Sequence, residues 1–583
     1  MSQTYSKHNI RSLFLKLLPV QIFSCLTTSL SGIVNGIVIG KYLTALDMVA
    51  LGFATPITMI NTVVSTIISS GARIVCGEYM GRGQKEKINE TFTISIMCLL
   101  AFGILMSVTG LTLATPIVKI AGASESSASF AAAYIRGISI GVIPTIITPC
   151  LMVFLQMEND SNFALVSTII LAVINYLLNM FAMNQMEVGI FGVGLITSIS
   201  QFIVLVIVCI RFIRKKNLPK IIKTRNIKLA KEIVIIGLPN ALTIFLYNIR
   251  NSLLNRYALS IYGEPAVQAL SILGSSAGPY DAFNIGVAST ALMLLSVYIG
   301  EKDREAIKQT ARIGITIGLI IGFAKVAFIA LFIDKIALLY GANEEVLQLT
   351  RSLYINYSLS APLNMIMGIV TNAYQTLKRL TFVNVIYVLT AFIIPIGYVQ
   401  LFKGIIGITT VWSCYWVSEV LTLLIIYIAA CKYKKGIVHG IGDLLHIEES
   451  IKIETCKTIS IRTINEVTNI SREIELFCEE NNIDKRRSML AGLCCEEMTA
   501  NIIEHGFSKC RTTRGKTIDV YVGVSNDEVN IRIKDNAVPF DPHVKLKDSS
   551  DPTRNIGIKM VSKLAKKMNY QNTFGLNVLA ITL

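Results

Sequence analysis

Three polar residues in the C-terminal quarter of the sequence recur at intervals of four: Glu497, Asn501 and His505. A spacing of four places side chains on one face of an α-helix. A carboxylate on that face can accept a proton from a hydroxyl group, and an amide oxygen can bind magnesium. The same stripe also fits the polar face of an ordinary surface helix. The chemical hypothesis therefore depends on the residues that follow.

Two later segments strengthen the chemical hypothesis. The run from Asp535 to Pro542 ends a predicted strand with a carboxylate, and Asn555-Ile556-Gly557-Ile558 opens a predicted helix. The first amides of a helix lack partners within the helix and can receive phosphate. The segment between them carries basic residues that could contact phosphate or be solvated: Lys545, Lys547 and Arg554.

The elements around these residues predict a small α+β domain. An alternating pattern that begins at Ile451 predicts a first strand. Helices are predicted near 464–481, 485–505 and 556–568, and strands near 517–524, 528–535 and 576–583. This order predicts an antiparallel sheet with helices on one face.

The three segments, in this order, resemble the GHKL ATPase fold, and specifically the small serine kinases that act as bacterial anti-sigma factors. The resemblance implies that Asn501 binds Mg²⁺ and that Glu497 is the general base for a hydroxyl nucleophile. It makes Asp535 the acceptor for the adenine amino group and Gly557 the close-approach glycine beside the phosphates. The implied cofactors are ATP and Mg²⁺, and the implied protein partner is similar to an anti-sigma-factor antagonist.

Two positions depart from this family pattern. Ala537 stands where the family usually has glycine, and Asn555 stands where the first glycine of the phosphate turn is expected. Asparagine tolerates left-handed backbone geometry, so the turn can be retained. Arg554, beside this turn, is a further candidate contact for the nucleotide. We expect nucleotide binding, and the sequence leaves open whether the domain transfers phosphate or only senses nucleotide.

The rest of the sequence predicts a membrane protein. Of the 583 residues 52% are hydrophobic and only 16% are charged, against about 25% charged in soluble domains. Apolar stretches of about 20 residues or more fill residues 17–431, whereas residues 446–583 have an ordinary soluble composition. Twelve transmembrane helices are predicted, at 17–40, 46–72, 91–118, 130–156, 163–183, 188–212, 231–257, 265–298, 311–333, 351–376, 381–402 and 405–431.

The distribution of charge predicts the orientation of these helices. The net charge of +16 comes mostly from basic residues in short connections after the second, sixth and tenth spans, which is the positive-inside pattern and does not indicate a nucleic-acid partner. The connection after the fourth span is the exception, because it carries Glu158 and Asp160. We expect a multi-pass protein of a bacterial plasma membrane, in contact with lipid, with both termini in the cytoplasm.

An internal repeat divides the spans into two halves of six helices. Three pairs of motifs are separated by the same offset: Tyr79-Met80-Gly81 and Tyr298-Ile299-Gly300, Gly122-Ala123 and Gly341-Ala342, and Gln156 and Gln375. An even number of spans in each half makes the two copies parallel. The predicted organisation is therefore an N-terminal lobe (1–218), a C-terminal lobe (219–435), a linker (436–450) and the ATP-binding domain (451–583).

The residues of this repeat resemble a known transporter family. Gly71-Ala72-Arg73 and the run from Gly77 to Gly83 are similar to the loop after the second helix in the multidrug and toxic compound extrusion (MATE) family. The run from Tyr298 to Asp303 resembles the second copy of that loop. The similarity covers residues 10–435. It implies two lobes that rock about a central cavity and exchange a small organic compound, often cationic, for protons or sodium ions.

The sequence departs from that family where the ion should couple. Asn35 occupies the place in the first helix at which many members carry an aspartate, and it cannot ionise. Carboxylates within spans are costly in hydrocarbon, and only Asp281 and Glu419 lie away from the ends of the predicted spans, so both are candidates for the ion site. Alternatively, Asp281 sits at a helix break or pairs with Arg250, and Glu419 pairs with a basic residue of a neighbouring span.

Two functions from different classes fit these features. The first is a secondary-active exporter of organic, cationic compounds whose C-terminal domain senses nucleotide or phosphorylates a regulatory protein. The second is a membrane-anchored signalling protein, of the serine kinase or anti-sigma-factor type, whose transporter-like part senses a small molecule. ATP-driven pumping is disfavoured because the sequence has no GxxxxGK[ST] motif.

Overall fold

The structure is a computed structural model of the chain. It describes residues 10–29, 45–120, 125–185, 189–215, 218–340, 343–450, 455–461, 463–509, 516–525, 528–542 and 556–583. Asn35, Arg554 and Asn555, to which the sequence assigned functional roles, lie outside the described residues.

Long apolar helices form a bundle from Ile10 to Lys434. A helix satisfies its own backbone hydrogen bonds, which lipid cannot do. In chain order they are α1 (Ile10–Ser29), α2 (Ala45–Gly81), α3 (Lys85–Thr112), α4 (Ala114–Ile120), α5 (Glu125–Ile140), α6 (Val142–Met157), α7 (Ser161–Gln185), α8 (Ile190–Arg214), α9 (Ile227–Tyr262), α10 (Glu264–Gly300), α11 (Arg304–Leu339), α12 (Glu344–Thr376), α13 (Leu380–Val388), a π turn (Leu389–Ile393), α14 (Ile394–Ile406) and α15 (Thr409–Lys434).

Ten helical segments in the described part of the chain are long and apolar enough to cross a membrane. The pair α5 and α6, bent by 46° at its break, makes eleven if it is counted as one span. The helix α12, which coincides with the predicted tenth span, has 33 residues and is more polar. Two of its side-chain amides form hydrogen bonds to neighbouring helices. Asn372 Nδ2 donates to the Ala288 carbonyl at 2.9 Å, and Gln375 Nε2 donates to the Ile236 carbonyl at 2.8 Å. The predicted polytopic helical fold is confirmed.

The sequence repeat is also visible in the backbone. Gly83 and Lys302 have positive φ angles of 66° and 57°, and Asn159 and Lys378 have φ angles of 57° and 58°. Each pair is separated by the offset found in the sequence motifs. Left-handed geometry is uncommon outside glycine, so its recurrence at matched turns shows that the two halves share one local fold.

The two halves touch at one end of the bundle, which we call the closed end: the ends of α2 and α10 and the turns after them, Gly77–Gly83 and Ser296–Lys302. A Cβ on Gly81 would lie 2.1 Å from the Val297 carbonyl oxygen, and a Cβ on Gly300 would lie 2.1 Å from the Glu78 carbonyl oxygen. The two contacts are related by the repeat. Only glycine allows the two helix ends to approach so closely.

The C-terminal domain is a five-stranded antiparallel sheet with helices on one face, as predicted. Its elements are β1 (Thr455–Ile461), α18 (Ile464–Glu480), α19 (Lys485–Asn501), β2 (Ile518–Ser525), β3 (Glu528–Asp535), α20 (Ile556–Leu564), β4 (Lys567–Thr573) and β5 (Leu576–Thr582), in the strand order β1-β2-β3-β5-β4. The predicted helix near 556–568 is too long, because β4 begins at Lys567 and pairs with β5. The sequence interpretation missed β4.

Two short helices, α16 (Ile441–Leu444) and α17 (Ile447–Ser450), attach the connection between bundle and domain to the bundle. The Tyr374 hydroxyl donates to the Leu444 carbonyl at 2.5 Å, and Leu445 and Ile447 are buried in the bundle core. The segment 436–450, predicted as a linker, is therefore a packed connection.

The close contact at Gly300 predicts the effect of adding a methyl group. Gly300→Ala should lower the free energy of unfolding by about 1–3 kcal/mol, because a backbone oxygen occupies the space for the Cβ. The control is Gly404→Ala, since Gly404 lies in α14 with nothing within 4 Å of its Cβ position. Thermal unfolding in detergent measures both variants. A midpoint for Gly300→Ala equal to that of Gly404→Ala would contradict the packing described for the closed end.

Candidate functional site

The helix α19 carries Glu497 and Asn501 one turn apart. The side chain of Asp484 caps its start by accepting a hydrogen bond from the Arg487 backbone at 3.0 Å. Asn501 Nδ2 donates to the Glu497 carbonyl at 2.7 Å. The amide nitrogen is thereby engaged, which leaves the Oδ1 atom of Asn501 available as a neutral oxygen ligand.

The predicted stripe does not continue to His505. The chain leaves the α-helix after Asn501 and forms a π turn at Ile502–Gly506 that carries His505. A π turn bonds i to i+5, so a spacing of four no longer places His505 directly above Asn501. His505 is exposed. The prediction of one regular helix from 485 to 505 is wrong at this turn.

Gly557 and Glu497 meet at the start of α20. A Cβ on Gly557 would lie 2.0 Å from the Glu497 Oε2 atom, so only glycine leaves room for this carboxylate. The sequence interpretation assigned Gly557 to the phosphates alone, and the contact with Glu497 gives a second reason for glycine. Glu497 therefore lies at a helix start, where free amides attract negative groups such as phosphate.

Asp535 ends β3 in a buried position. Its Oδ1 atom accepts hydrogen bonds from the Ala537 backbone and from Asn577 Nδ2, both at 2.8 Å. Burial raises the pKa of Asp535 to about 6, although these two bonds oppose the shift. The Oδ2 atom takes part in neither bond and remains an acceptor for a donor such as an exocyclic amino group.

A buried polar chain behind Asp535 was not recognised from the sequence. Asn577 lies opposite Asp535 in the sheet and is 4% exposed. Its Oδ1 atom accepts from the Tyr570 hydroxyl at 2.7 Å, and that hydroxyl accepts from the Phe540 backbone at 3.0 Å. A buried asparagine in an apolar final strand was the available signal, but Tyr570 lies on the strand that the sequence interpretation missed.

Ala537, the residue at the expected glycine position, is compatible with this geometry. It is buried, and a Cβ on Gly506 would lie 2.9 Å from the Ala537 Cβ. Ala537 is not one of the described residues with a positive φ angle. The position therefore needs no glycine for backbone reasons.

A second cluster of polar and aromatic groups lies inside the C-terminal half of the bundle. The Asp281 Oδ2 atom, on the continuous helix α10, accepts from the Tyr357 hydroxyl on α12 at 2.7 Å. The Glu419 Oε1 atom, on α15, accepts from Asn364 Nδ2 at 3.0 Å. The Glu419 Oε2 atom is buried without a partner in the described part of the chain. Asp281 thus does not mark a helix break.

The nearby cations contact rings and amides, and they act on these carboxylates only at longer range. Arg250 lies over the rings of Tyr247 and Tyr415, at 4.5 and 5.0 Å from the centroids. Lys325 Nζ donates to Asn284 at 2.6 Å and lies 3.7 Å from the Tyr280 ring centroid. Within the described ranges no basic group comes within 4.0 Å of Asp281 or Glu419. The alternative that these acids form ion pairs is not supported.

Arg73 is a further candidate, a residue of the MATE-like segment to which the sequence assigns no role. It lies in α2, and its Nε atom is buried with no hydrogen-bond partner among the residues described. A buried guanidinium nitrogen without a hydrogen-bond partner is unusual, because removing a polar group from water is costly. Its only sequence signal was a charged residue within an otherwise apolar span.

These features define a polytopic membrane transporter built from two repeated halves and joined to a domain of the GHKL type. The chain belongs to the MatE family, whose model matches residues 20–181 and 239–399. A second family model, the histidine kinase-like ATPase domain, matches residues 462–583. The resemblance to MATE transporters and the resemblance to the ATPase fold are thereby confirmed, whereas the specific likeness to serine kinases stays a prediction.

Individual relatives agree with this assignment. The probable multidrug resistance protein NorM of Streptococcus pneumoniae is 26% identical over 365 residues, covering 60% of this chain and 78% of the relative. The probable multidrug resistance protein YoeA of Bacillus subtilis is 24% identical over 450 residues, covering 73% of this chain and 95% of the relative.

Solved structures show the same fold. A MOP superfamily transporter from Pyrococcus furiosus superposes with a TM-score of 0.67 at 17% identity, covering 71% of this chain and 94% of that one. A multidrug resistance MATE family transporter in an outward-facing conformation superposes with a TM-score of 0.66 at 18% identity, with the same coverage.

The raised pKa of Asp535 predicts that Asp535→Asn stabilises the nucleotide-free protein at neutral pH. The folded chain binds this proton more tightly than the unfolded chain, so stability is lost as pH rises from roughly 4 to 6 and the loss is complete above that range. The gain in the free energy of unfolding should be about 2–3 kcal/mol at pH 7.5. Thermal unfolding at pH 7.5 and pH 4 measures it. If Asp535→Asn were less stable than the wild type at pH 7.5, the ionised Asp535 carboxylate would not destabilise the folded protein, and the prediction would be wrong.

Proposed function

We propose that the chain exports organic, cationic compounds in exchange for protons or sodium ions, and that Asp281 and Glu419 form the ion-coupling site. The observation that carries this proposal is a pair of carboxylates inside the bundle with no basic group within 4.0 Å in the described part of the chain. A carboxylate removed from water is costly unless a cation or proton neutralises it. A coupling ion and a cationic substrate can each supply that charge.

Coupling then follows from competition for the same charge. When an ion or proton occupies the carboxylates, a cationic substrate loses its counter-charge and is released. Tyr357 and Asn364, both on α12, hold the two acids, so a change of occupancy alters the contacts of one helix with α10 and α15. A ligand can shift the bundle between conformations only through such differential contacts.

The orientation proposed for the bundle places the closed end and the C-terminal domain in the cytoplasm of a bacterial cell. Basic residues between α8 and α9 and after α15 support this orientation by the positive-inside rule. In this proposal the bundle is closed on the cytoplasmic side, and both termini are cytoplasmic.

In this proposal the C-terminal domain binds ATP with Mg²⁺. Asn501 Oδ1 would hold the metal, Asp535 would accept the adenine amino group, and Gly557 would lie at the helix start that faces the phosphates. Arg554 and Asn555 immediately precede this helix in the sequence and are further candidate contacts for phosphate. The proposed magnesium supplies charge neutralisation for the phosphates.

A second candidate activity is protein phosphorylation, which the position of Glu497 favours. Its carboxylate lies at the start of α20, beside the proposed phosphate position, where it could accept the proton of a serine hydroxyl on a protein similar to an anti-sigma-factor antagonist. That oxygen would then bond to the γ-phosphorus of ATP, and ADP would leave. In a signalling protein of this type the bundle would act as the sensor of a small molecule.

The ion-site proposal predicts that Asp281→Asn and Glu419→Gln each reduce gradient-driven efflux of a cationic dye to background. Neither amide can take up a proton or carry the negative charge that holds a cation. Reconstituted vesicles with separately imposed proton and sodium gradients provide the measurement. Asp334→Asn is the matched control, because Asp334 is an exposed acid on α11 that pairs with Arg351 at 2.7 Å. Normal efflux by both site variants would exclude this coupling site.

The nucleotide-site proposal predicts separate effects for two neighbouring residues. Asn501→Ala should remove the dependence of ATP binding on magnesium, because the metal loses its amide oxygen. Glu497→Gln should bind ATP and magnesium nearly as the wild type does and lose any phosphate transfer, because a general base acts on the proton. Calorimetric titration of the full-length protein measures binding. Wild-type protein that gives no heat with ATP and magnesium would refute the site.

A further inference from the structure

The face of the C-terminal sheet opposite its helices covers the closed end of the bundle. Side chains of a strand alternate between the two faces. On β3, Val529, Ile531 and Ile533 are buried in the domain core, so Arg532 and Lys534 point to the other face. Two basic residues on a sheet face that contacts the bundle are largely removed from water and therefore need an acidic partner.

That partner belongs to the C-terminal half of the bundle. Glu301, in the turn after α10, is 3% exposed, and its carboxylate contacts Lys534 Nζ. Arg532 also donates to the Glu301 carbonyl at 2.9 Å. Lys534 Nζ lies 5.1 Å from the Tyr298 ring centroid. A buried ion pair with these additional bonds is costly to break, because separation leaves a charge without its partner.

The same domain also contacts the N-terminal half through the β4–β5 hairpin. Its two-residue turn, Phe574-Gly575, has φ angles of 54° and 87°, and Phe574 is buried in the bundle core. Gln571 Nε2 donates to the Met80 carbonyl in the last turn of α2. A Cβ on Gly575 would lie 3.1 Å from Lys16 Nζ and 3.3 Å from Asn159 Nδ2. All of these partners precede residue 218.

The contacts on the two halves involve the ends of α2 and α10 and the turns after them, which the repeat relates. These turns meet at the closed end and must separate if the bundle opens on this side. A rigid sheet attached to both turns opposes that movement. Opening would expose the buried Phe574 to water or would separate the ion pair at Glu301, and both changes oppose opening.

We propose that the C-terminal domain is a clamp on the transporter. Docked through Arg532, Lys534 and the Phe574 hairpin, it holds the two halves together at the closed end, and it must detach from one half before the bundle opens on that side. The proposal depends on the exporter function only in requiring that the closed end opens during transport.

The test measures the separation of the halves in the full-length protein in lipid nanodiscs. Spin labels are placed at Glu86 and Glu305, exposed residues in the first turns of α3 and α11 that the repeat relates. The native cysteines are replaced beforehand, and pulsed electron resonance gives the distance distribution. The measurement needs neither substrate nor coupling ion, so its result is independent of the export proposal.

Lys534→Glu and Phe574→Ala should each shift the distribution to longer distances. Glu301→Lys should do the same, and the double variant Glu301→Lys with Lys534→Glu should restore the short distance by exchanging the charges. Lys567→Glu, at the exposed start of β4, is the control and should leave the distribution unchanged. Lys534→Glu and Phe574→Ala alter only the domain, so they decide the matter even if Glu301→Lys fails to fold. Unchanged distances in both domain variants would overturn the proposal.

Discussion

At the closed end, two glycines related by the repeat allow the halves of this transporter to meet backbone against backbone. Gly81 lies against the carbonyl of Val297, and Gly300 lies against the carbonyl of Glu78, so one contact occurs twice about the axis that relates the repeats. No side chain lies between the two backbones. The halves can therefore be in contact or apart, with few intermediate arrangements. The turns after both helices are thereby brought side by side, where a single small domain can reach both. The position of the C-terminal domain thus depends on this approach of two helix ends.

The charges inside the bundle divide unequally between the two halves. In the C-terminal half, Asp281 and Glu419 are held by a tyrosine hydroxyl and an amide, while Arg250 is held by aromatic rings. Neutral partners stabilise a carboxylate less than an opposite charge does, which leaves it able to bind a cation. In the described part of the N-terminal half, Arg73 is the intramembrane charge with an unsatisfied atom. The two halves therefore carry different charged groups inside the bundle, although their backbone turns are the same.

Much of this organisation could be predicted from residue patterns. The offset of the loop motifs, the helix of Glu497 and Asn501, and β3 with Asp535 at its end follow from local periodicity and spacing. What could not be predicted depends on contacts between distant segments. A π turn after Asn501 breaks the periodicity at His505, and the β4–β5 hairpin uses Phe574-Gly575 in place of the usual asparagine and glycine turn. The burial of Phe574 against another domain leaves no local trace, because the sequence around it resembles an ordinary edge of a soluble sheet.

The sheet of the C-terminal domain gives a short physical route between nucleotide and transporter. Asp535 and Lys534 are consecutive on β3 and point to opposite faces, one toward the proposed adenine position and the other toward Glu301. Asn577, which bonds to Asp535, is two residues from the hairpin turn that enters the bundle. Proximity alone does not create coupling, since a ligand shifts an equilibrium only by its difference in affinity for the two states. Nucleotide can therefore regulate opening only if it binds the docked and the detached domain with different affinity, and by linkage docking must then change the affinity for nucleotide by the same factor.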